Sequence, residues 1–216
     1  MEKIALIVAG GEGKRMNNEV PKQFLLLNGL PILMHTLKKF IYLDKIILVL
    51  PSTQFEYWKT LCKQYNFTQK HILVVGGINR FGSVKNGLKK INDNSIVAIH
   101  DGVRPLISTD LIDRLIEATK KNVGVIPIIP IKDSIRKVDG NRSVVVNRNA
   151  IYKVQTPQCF YLKAIKEAYQ QNFSIFFTDD ASVFESYGGR IKTLTGEYKN
   201  LKITTEEDLR IAEKLG

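Results

Sequence analysis

Short runs of β-branched and other apolar residues alternate along the chain with stretches in which apolar positions recur every three or four residues. Lys3 to Ala9, Lys45 to Leu50, His71 to Val75, Ser95 to His100 and Val123 to Pro127 have the length and composition of buried strands. Between them, Ile32, Leu33, Thr36, Leu37 and Phe40 share one helical face, and Val84, Leu88 and Ile91 share another, with Ser83 as the candidate start. Strands separated by amphipathic helices predict a parallel sheet with crossover helices, an α/β fold whose apolar stripes are core.

The alternation breaks between Pro130 and Asn149, where two strand-like runs flank Asp139-Gly140, a dipeptide suited to a tight turn. This pattern predicts a projecting β-arm. Its outer run, Ser143 to Val146, is too small to build a core, so packing against a second subunit is expected, with a hairpin lying on its own domain as the alternative. Beyond the arm the pattern predicts a strand at Ile151 to Gln155 and a helix from Lys163 to Gln171. A further helix starts near Asp179, capped by Thr178, and ends near Gly188-Gly189. Thr205 and Asp208 have capping-box spacing before the last helix. The expectation is one domain over residues 1–216, with the arm at about 130–149 as a dimerisation excursion.

Composition narrows the class. With 216 residues, 44% hydrophobic and 25% charged, the chain is of globular type. The run Ile4 to Ala9 is far too short to cross a bilayer and no signal segment is recognisable, so a cytoplasmic location is expected. Cys62 and Cys159 alone build neither a disulfide framework nor a cysteine-rich zinc site, and Cys159 reads as an inert core thiol. The balance of 32 basic against 21 acidic residues, +11, calls for an anionic partner: a nucleic acid or a small polyphosphate.

The candidate chemistry begins where the first strand ends, in Ala9-Gly10-Gly11-Glu12-Gly13-Lys14-Arg15-Met16. Glycines there let a ligand approach the backbone, whose N–H groups can cradle phosphate oxygens. The spacing is not that of a P-loop, because no Gly-Lys-Ser/Thr closes it. A dinucleotide fingerprint would need glycine at Met16, which argues against a nicotinamide dehydrogenase. Arg15, and Lys22 in Pro21-Lys22-Gln23, would offset charge on a reacting triphosphate; from this segment alone, solvated surface charges are an equal alternative. Asp101 stands at a strand end, where open α/β sheets place ligands, and a structural ion pair with Arg104 is its alternative.

Together with Pro21-Lys22-Gln23 and His100-Asp101-Gly102-Val103-Arg104-Pro105, the glycine-rich run resembles the 2-C-methyl-D-erythritol 4-phosphate cytidylyltransferase family. Gly76 to Val84, Gln155-Thr156-Pro157-Gln158, Thr178-Asp179-Asp180-Ala181-Ser182 and Asn200-Leu201-Lys202-Ile203-Thr204 extend the likeness over nearly the whole chain, in the family's order.

The resemblance implies a Rossmann-like, three-layer nucleotidyltransferase fold with a mostly parallel sheet and a β-arm. It implies an enzyme that transfers CMP from CTP to methylerythritol phosphate, with Mg²⁺ or another divalent cation, acting as a homodimer and binding neither nucleic acid nor membrane. Ala9, Gly10, Gly11, Gly13, Gly77, Ser83 and Gly102 would hold CTP, and Arg15 and Lys22 would stabilise the pentavalent α-phosphorus. Arg148 and Lys202 would grip the acceptor's phosphate; Arg104, Ser134 and Thr178 would add contacts, with Ser134 and Arg148 supplied by the neighbouring subunit. Asp101 would contact acceptor hydroxyls or position the metal. Ser134 replaces the usual Thr, Asn147 the usual Asp, and Gly102-Val103 the frequent Ala-Ala. The competing readings are a ribitol 5-phosphate cytidylyltransferase and a basic nucleic-acid-binding protein. Scattered cations without interleaved aromatics speak against the second.

Overall fold

A computed structural model describes residues 1–10, 20–92 and 94–216. In chain order the first half contains β1 (Glu2–Val8), the short hairpin β2 (Leu26–Leu27) and β3 (Leu30–Pro31), α1 (Ile32–Lys38), β4 (Lys45–Leu50), α2 (Phe55–Gln64), β5 (Ile72–Val75), α3 (Arg80–Leu88), β6 (Ser95–Asp101) and α4 (Thr109–Ala118). It continues with β7 (Val123–Pro130), β8 (Ile135–Asp139), β9 (Arg142–Val146), β10 (Tyr152–Val154), β11 (Gln158–Tyr161), α5 (Leu162–Ala168), α6 (Asp180–Ser186), β12 (Arg190–Thr195) and α7 (Glu206–Leu215).

The main sheet runs β10-β7-β11-β6-β1-β4-β5, and β12 also pairs with β7. Strands β5, β4, β1 and β6 are mutually parallel, β7 and β12 run the same way, and β10 and β11 enter antiparallel, so the sheet is mostly parallel, as expected. Alternation along β1 explains the layers. Ala5 and Ile7 face a cluster built with Leu33 and Leu37 of α1, Trp58 and Leu61 of α2, and Leu111 and Leu115 of α4. Ile4 and Leu6 face the opposite cluster, with Val84 and Leu88 of α3, Ile165 of α5 and Phe184 of α6. All these residues are nearly or fully buried, so helices cover both faces of the sheet.

The expected β-arm is present as the pair β8–β9, registered from Ile135↔Val146 to Asp139↔Arg142 around a turn whose Gly140 has φ +55°. Glycine meets that angle without the clash a Cβ would make. Val138, Val144 and Val145 are 68%, 59% and 73% exposed, so the hairpin buries little against its own chain.

Two helix starts differ from the sequence expectation. Asn79, not Ser83, caps α3, its Oδ1 accepting from Gly82 N–H at 2.8 Å, which leaves Ser83 inside the helix. Asp179, not Thr178, caps α6, because its carboxylate accepts from Ser182 N–H at 2.9 Å while Ser182 Oγ accepts from Asp179 N–H at 3.1 Å. At α7 the expected capping box forms: Thr205 Oγ1 accepts from Asp208 N–H at 3.1 Å, and Asp208 Oδ2 accepts from Thr205 N–H at 2.9 Å and Thr204 N–H at 2.8 Å. These bonds from Thr204 and Thr205 outweigh the partial burial that would raise the Asp208 carboxyl, and its pKa is lowered.

Thr205→Ala removes that cap and should cost about 1 kcal/mol, a fall in Tm of roughly 2–4 °C for a chain of this size, measured by thermal denaturation at neutral pH. An unchanged Tm would mean that the cap contributes nothing beyond what water supplies.

Candidate active site

The parallel strands end along one edge, and a cleft of about 820 Å³ opens there. In this register Val8, the last residue of β1, lies opposite Asp101, the last residue of β6, so the segments that follow the two strands emerge side by side. Ligands of open α/β sheets bind at this edge, where neighbouring strands diverge.

One wall is backbone. Gly76 N–H donates to Leu50 O at 2.8 Å and Ala9 N–H to Val49 O at 3.0 Å, which ties the turns after β5 and β1 to the end of β4. Gly77 presses on the first turn of α3: a Cβ there would stand 2.6 Å from the carbonyl carbon of Gly82. Its N–H donates to Ser83 Oγ at 3.0 Å, and that hydroxyl donates to Asn79 O at 2.9 Å. Ser83 thus braces the glycine turn from within α3. Gly102, buried under Ala9, is held by its N–H to Val8 O at 2.9 Å and accepts from Thr36 Oγ1 at 2.9 Å.

The other wall is charged. Asp101, 6% exposed, faces cations from separate elements: Arg80 Nε at 3.7 Å from Oδ1, with Arg104 Nε at 3.2 Å and Lys202 Nζ at 3.1 Å from Oδ2. Burial alone would raise this carboxyl. Arg80, Lys202, Arg104 and, more weakly, His100 instead hold it well below the usual carboxylate range. Arg104 also donates to Asn200 O at 2.9 Å, and Gln155 Nε2 donates to Glu197 O at 2.7 Å and Asn200 O at 3.1 Å. Ile203 N–H donates to Val103 O at 2.9 Å. These bonds fasten the segment that carries Lys202.

His100 lies behind Asp101, fully buried. Its Nε2 is 3.1 Å from Arg104 O, which can only accept, so Nε2 bears the proton and Nδ1 accepts from the Thr156 hydroxyl at 3.1 Å. That hydroxyl in turn accepts from Asp101 N–H at 3.1 Å. Burial lowers the imidazole to about 4 and keeps it neutral.

Of the residues expected from sequence, Ala9, Gly10, Lys22, Gly77, Ser83, Asp101 and Lys202 line the cleft. Gly102 and Arg104 lie just behind it, the first as close packing and the second as a brace on Asp101. Gly11, Gly13 and Arg15 lie outside the described residues. Thr178 is exposed immediately before the cap of α6. Ser134 and Arg148 are exposed at the base of the arm; Arg148 donates to the Lys132 carbonyl, and Lys132 Nζ lies 4.1 Å above the Tyr198 ring. Asn147 accepts from Asn149 N–H at 3.1 Å, a local turn in place of the ion pair an aspartate would offer Arg148.

Sequence reasoning missed Arg80, Gln23, Gln54 and Thr204, all of which line the cleft. Gln23 and Arg80 stand inside recognised runs, but no local pattern announces their direction. Asp101 does not fit as a metal ligand in this arrangement, since both its oxygens face cations. Among the described residues no group of three or more His, Cys, Asp or Glu could hold an ion.

The family model for 2-C-methyl-D-erythritol 4-phosphate cytidylyltransferase matches residues 3–215. The chain belongs to this family. It is therefore a nucleotidyltransferase enzyme. Family members similar to it include the 2-C-methyl-D-erythritol 4-phosphate cytidylyltransferase of Azobacteroides pseudotrichonymphae genomovar. CFP2, 50% identical over 99% of this chain and 98% of the relative. The protein of the same name from Bacteroides fragilis is 46% identical over the full length of both. A crystal structure of 4-diphosphocytidyl-2C-methyl-D-erythritol synthase from Anaerococcus prevotii DSM 20548 superposes with a TM-score of 0.82 at 31% identity, covering 99% of this chain and 97% of that one. The family's three-layer nucleotidyltransferase fold, expected from the motifs, is the fold observed.

His100 makes stability depend on pH. Its folded pKa of about 4 lies below the ordinary imidazole value of about 6.5, so the unfolded chain takes up the proton first as pH falls. Its contribution is whole above pH 6.5 and is lost towards pH 4, on the order of 3 kcal/mol in all. Denaturant titrations between those limits should show the loss in the wild type and a flatter dependence in His100→Asn, which is less stable throughout. Parallel curves would assign the loss to other groups.

Proposed function

We propose that the chain transfers CMP from CTP to 2-C-methyl-D-erythritol 4-phosphate, releasing pyrophosphate, as a step in making isoprenoid precursors by the non-mevalonate route. The observation that carries this reading is the division of one cleft into a glycine and backbone wall and a wall bearing Asp101 and Lys202. A nucleoside triphosphate suits the first, because its phosphates need distributed N–H donors, and a phosphorylated polyol suits the second.

In this reading Ala9, Gly10, Gly11, Gly13, Gly77, Ser83 and Gly102 form the nucleotide side. An oxygen of the acceptor's phosphate attacks the α-phosphorus of CTP, a new P–O bond forms, and the bond to the β-phosphate's bridging oxygen breaks as pyrophosphate departs. The acceptor is already an anion, so no protein nucleophile is needed. Lys22 and Arg15 offset the charge that grows on the equatorial oxygens. Lys202 and Arg148 aim the acceptor's phosphate, Asp101 receives its hydroxyls, and Arg104, Ser134 and Thr178 complete that side. Magnesium, or another divalent cation, enters with CTP as part of the substrate.

The chain works as one domain and as a homodimer in the cytoplasm, with Ser134 and Arg148 reaching the partner's cleft on the β-arm. Support comes from the arm's exposed valines, which the described residues leave uncovered, and from exposed Ile151, Tyr152 and Val154. No helix among the described residues is long and apolar enough to cross a membrane. The net charge of +11 answers to polyphosphate substrates, not to nucleic acid.

Pyrophosphate should appear with CTP and methylerythritol phosphate together, and far less with ATP, GTP or ribitol 5-phosphate. Equal turnover of ribitol 5-phosphate would overturn the acceptor assignment. Lys22→Ala should lower kcat by about two to three orders of magnitude with a smaller change in CTP affinity.

The shared site has its own test. Lys22→Ala and Arg148→Ala homodimers should each be nearly inactive, whereas subunit exchange between them should recover roughly a quarter of wild-type activity. Mixtures that exchange subunits and stay inactive would rule out an arm that crosses between sites.

A further inference from the structure

The reaction as proposed asks Lys202 for two things. Its ammonium lies 3.1 Å from Asp101 Oδ2, yet it must also meet the acceptor's phosphate. Once it turns to the phosphate, a carboxylate only 6% exposed loses one counter-charge while a dianion arrives beside it. Without compensation, Asp101 would take up a proton or push the acceptor away.

Among the described residues, the groups facing Asp101 are Arg104 from the turn after β6, Lys202 from the segment after β12, Arg80 from α3 and neutral His100 on its own strand. Arg104 is braced against Asn200 O and addresses only Oδ2. Arg80 is the cation on the Oδ1 side. It lines the cleft from the first residue of α3, yet it is not left to find its own position. Its Nη1 and Nη2 donate to Asp180 Oδ1 and Oδ2 at 2.8 and 2.6 Å. Asp180 is fully buried, and its Oδ1 also accepts from the hydroxyl of Tyr169, itself buried, at 2.6 Å.

A bidentate arginine–carboxylate pair fixes the guanidinium plane as well as its distance. Here the fork points inward to Asp180 and the Nε edge is turned to Asp101. Tying α3 to α6 would need the fork alone. It would not need the free edge of the arginine to lie 3.7 Å from the carboxylate of the site.

We propose that Arg80, positioned by Asp180 and Tyr169, is the standing counter-charge that keeps Asp101 ionised when Lys202 leaves it for the acceptor's phosphate. Arg80 and Asp180 are then positioning residues for the acceptor half of the reaction, with little bearing on CTP. This inference rests on the assignment of Lys202 to the acceptor's phosphate, so Lys202→Ala is the control: it must raise the acceptor KM.

Arg80→Gln should raise the acceptor KM by about ten-fold or more, with the CTP KM changed by less than about two-fold. Arg80→Lys keeps the charge and loses the fork, so it should fall between the two. Tyr169→Phe leaves the fork in place and should stay within about three-fold of wild type. In protein carrying ¹³C-labelled aspartate carboxyls and saturated with methylerythritol phosphate, Asp101 should remain ionised to about pH 4 in the wild type. In Arg80→Gln it should titrate above that, the resonance being identified by its loss in Asp101→Asn.

A flat Asp101 signal in Arg80→Gln, or equal rises in both KM values, would overturn the proposal. Should Arg80→Gln fail to fold, Arg80→Lys decides, and equal rises in both KM values there would overturn it equally. If Lys202→Ala leaves the acceptor KM unchanged, the assignment of Lys202 has failed instead, and the behaviour of Arg80→Gln on Asp101 ionisation still reads separately.

Discussion

A single ionised carboxylate, buried at the end of a central strand, sets the terms for the charged half of this molecule. Asp101 is tolerable there only because Arg80, Arg104 and Lys202 converge on it from three places in the chain. Each of them needs its own support: the cap at Asn79, the bond of Arg104 to Asn200, and the Gln155 contacts that pin the segment before Lys202. The last helix joins in through its capping box, which fixes Thr204 and Thr205 just after Lys202. Segments far apart in sequence are thus held around one unit of negative charge.

The parallel core was readable because its strands are short, β-branched and separated by helical periodicity. The terminal capping box was readable because it is a local pattern of hydroxyl and carboxylate at fixed spacing. Strands β11 and β12 went unread for opposite reasons. Gln158 to Phe160 are buried, with Tyr161 partly so, yet the strand is polar at its first position, and Arg190 to Thr195 is largely exposed and offers little apolar contrast. Direction in a sheet is not written in any single strand, so the antiparallel entry of β10 and β11 could emerge only from their pairing. Helices α2 and α4 were also unread, although each carries a clear apolar face, Trp58 and Leu61 in one and Leu111 and Leu115 in the other.

The candidate site was legible in so far as it is built from turns at strand ends. Glycine runs and a strand-end aspartate mark such places. Arg80 and Asp180 were not, because their meaning lies in a contact between residues 100 positions apart. Asp180 follows Asp179, and a pair of adjacent aspartates reads as a solvated helix start. Only packing shows that the first caps the helix while the second is sealed inside with Tyr169 and Arg80.

The pairing of Val8 with Asp101 has a bearing on how the two substrates meet. Neighbouring strands sit about 4.8 Å apart, a spacing dictated by backbone hydrogen bonds and indifferent to side-chain identity. The turn that follows β1 and the carboxylate that ends β6 are separated by one such step, and the missing Cβ of Gly102 lets Ala9 close the gap between them. The sheet therefore acts as a ruler. Drift in surface loops can alter affinity for either substrate, but the offset between the two halves of the cleft is inherited from the ladder itself, and altering it requires a slip of strand register that would turn every core residue of β1 to the wrong layer.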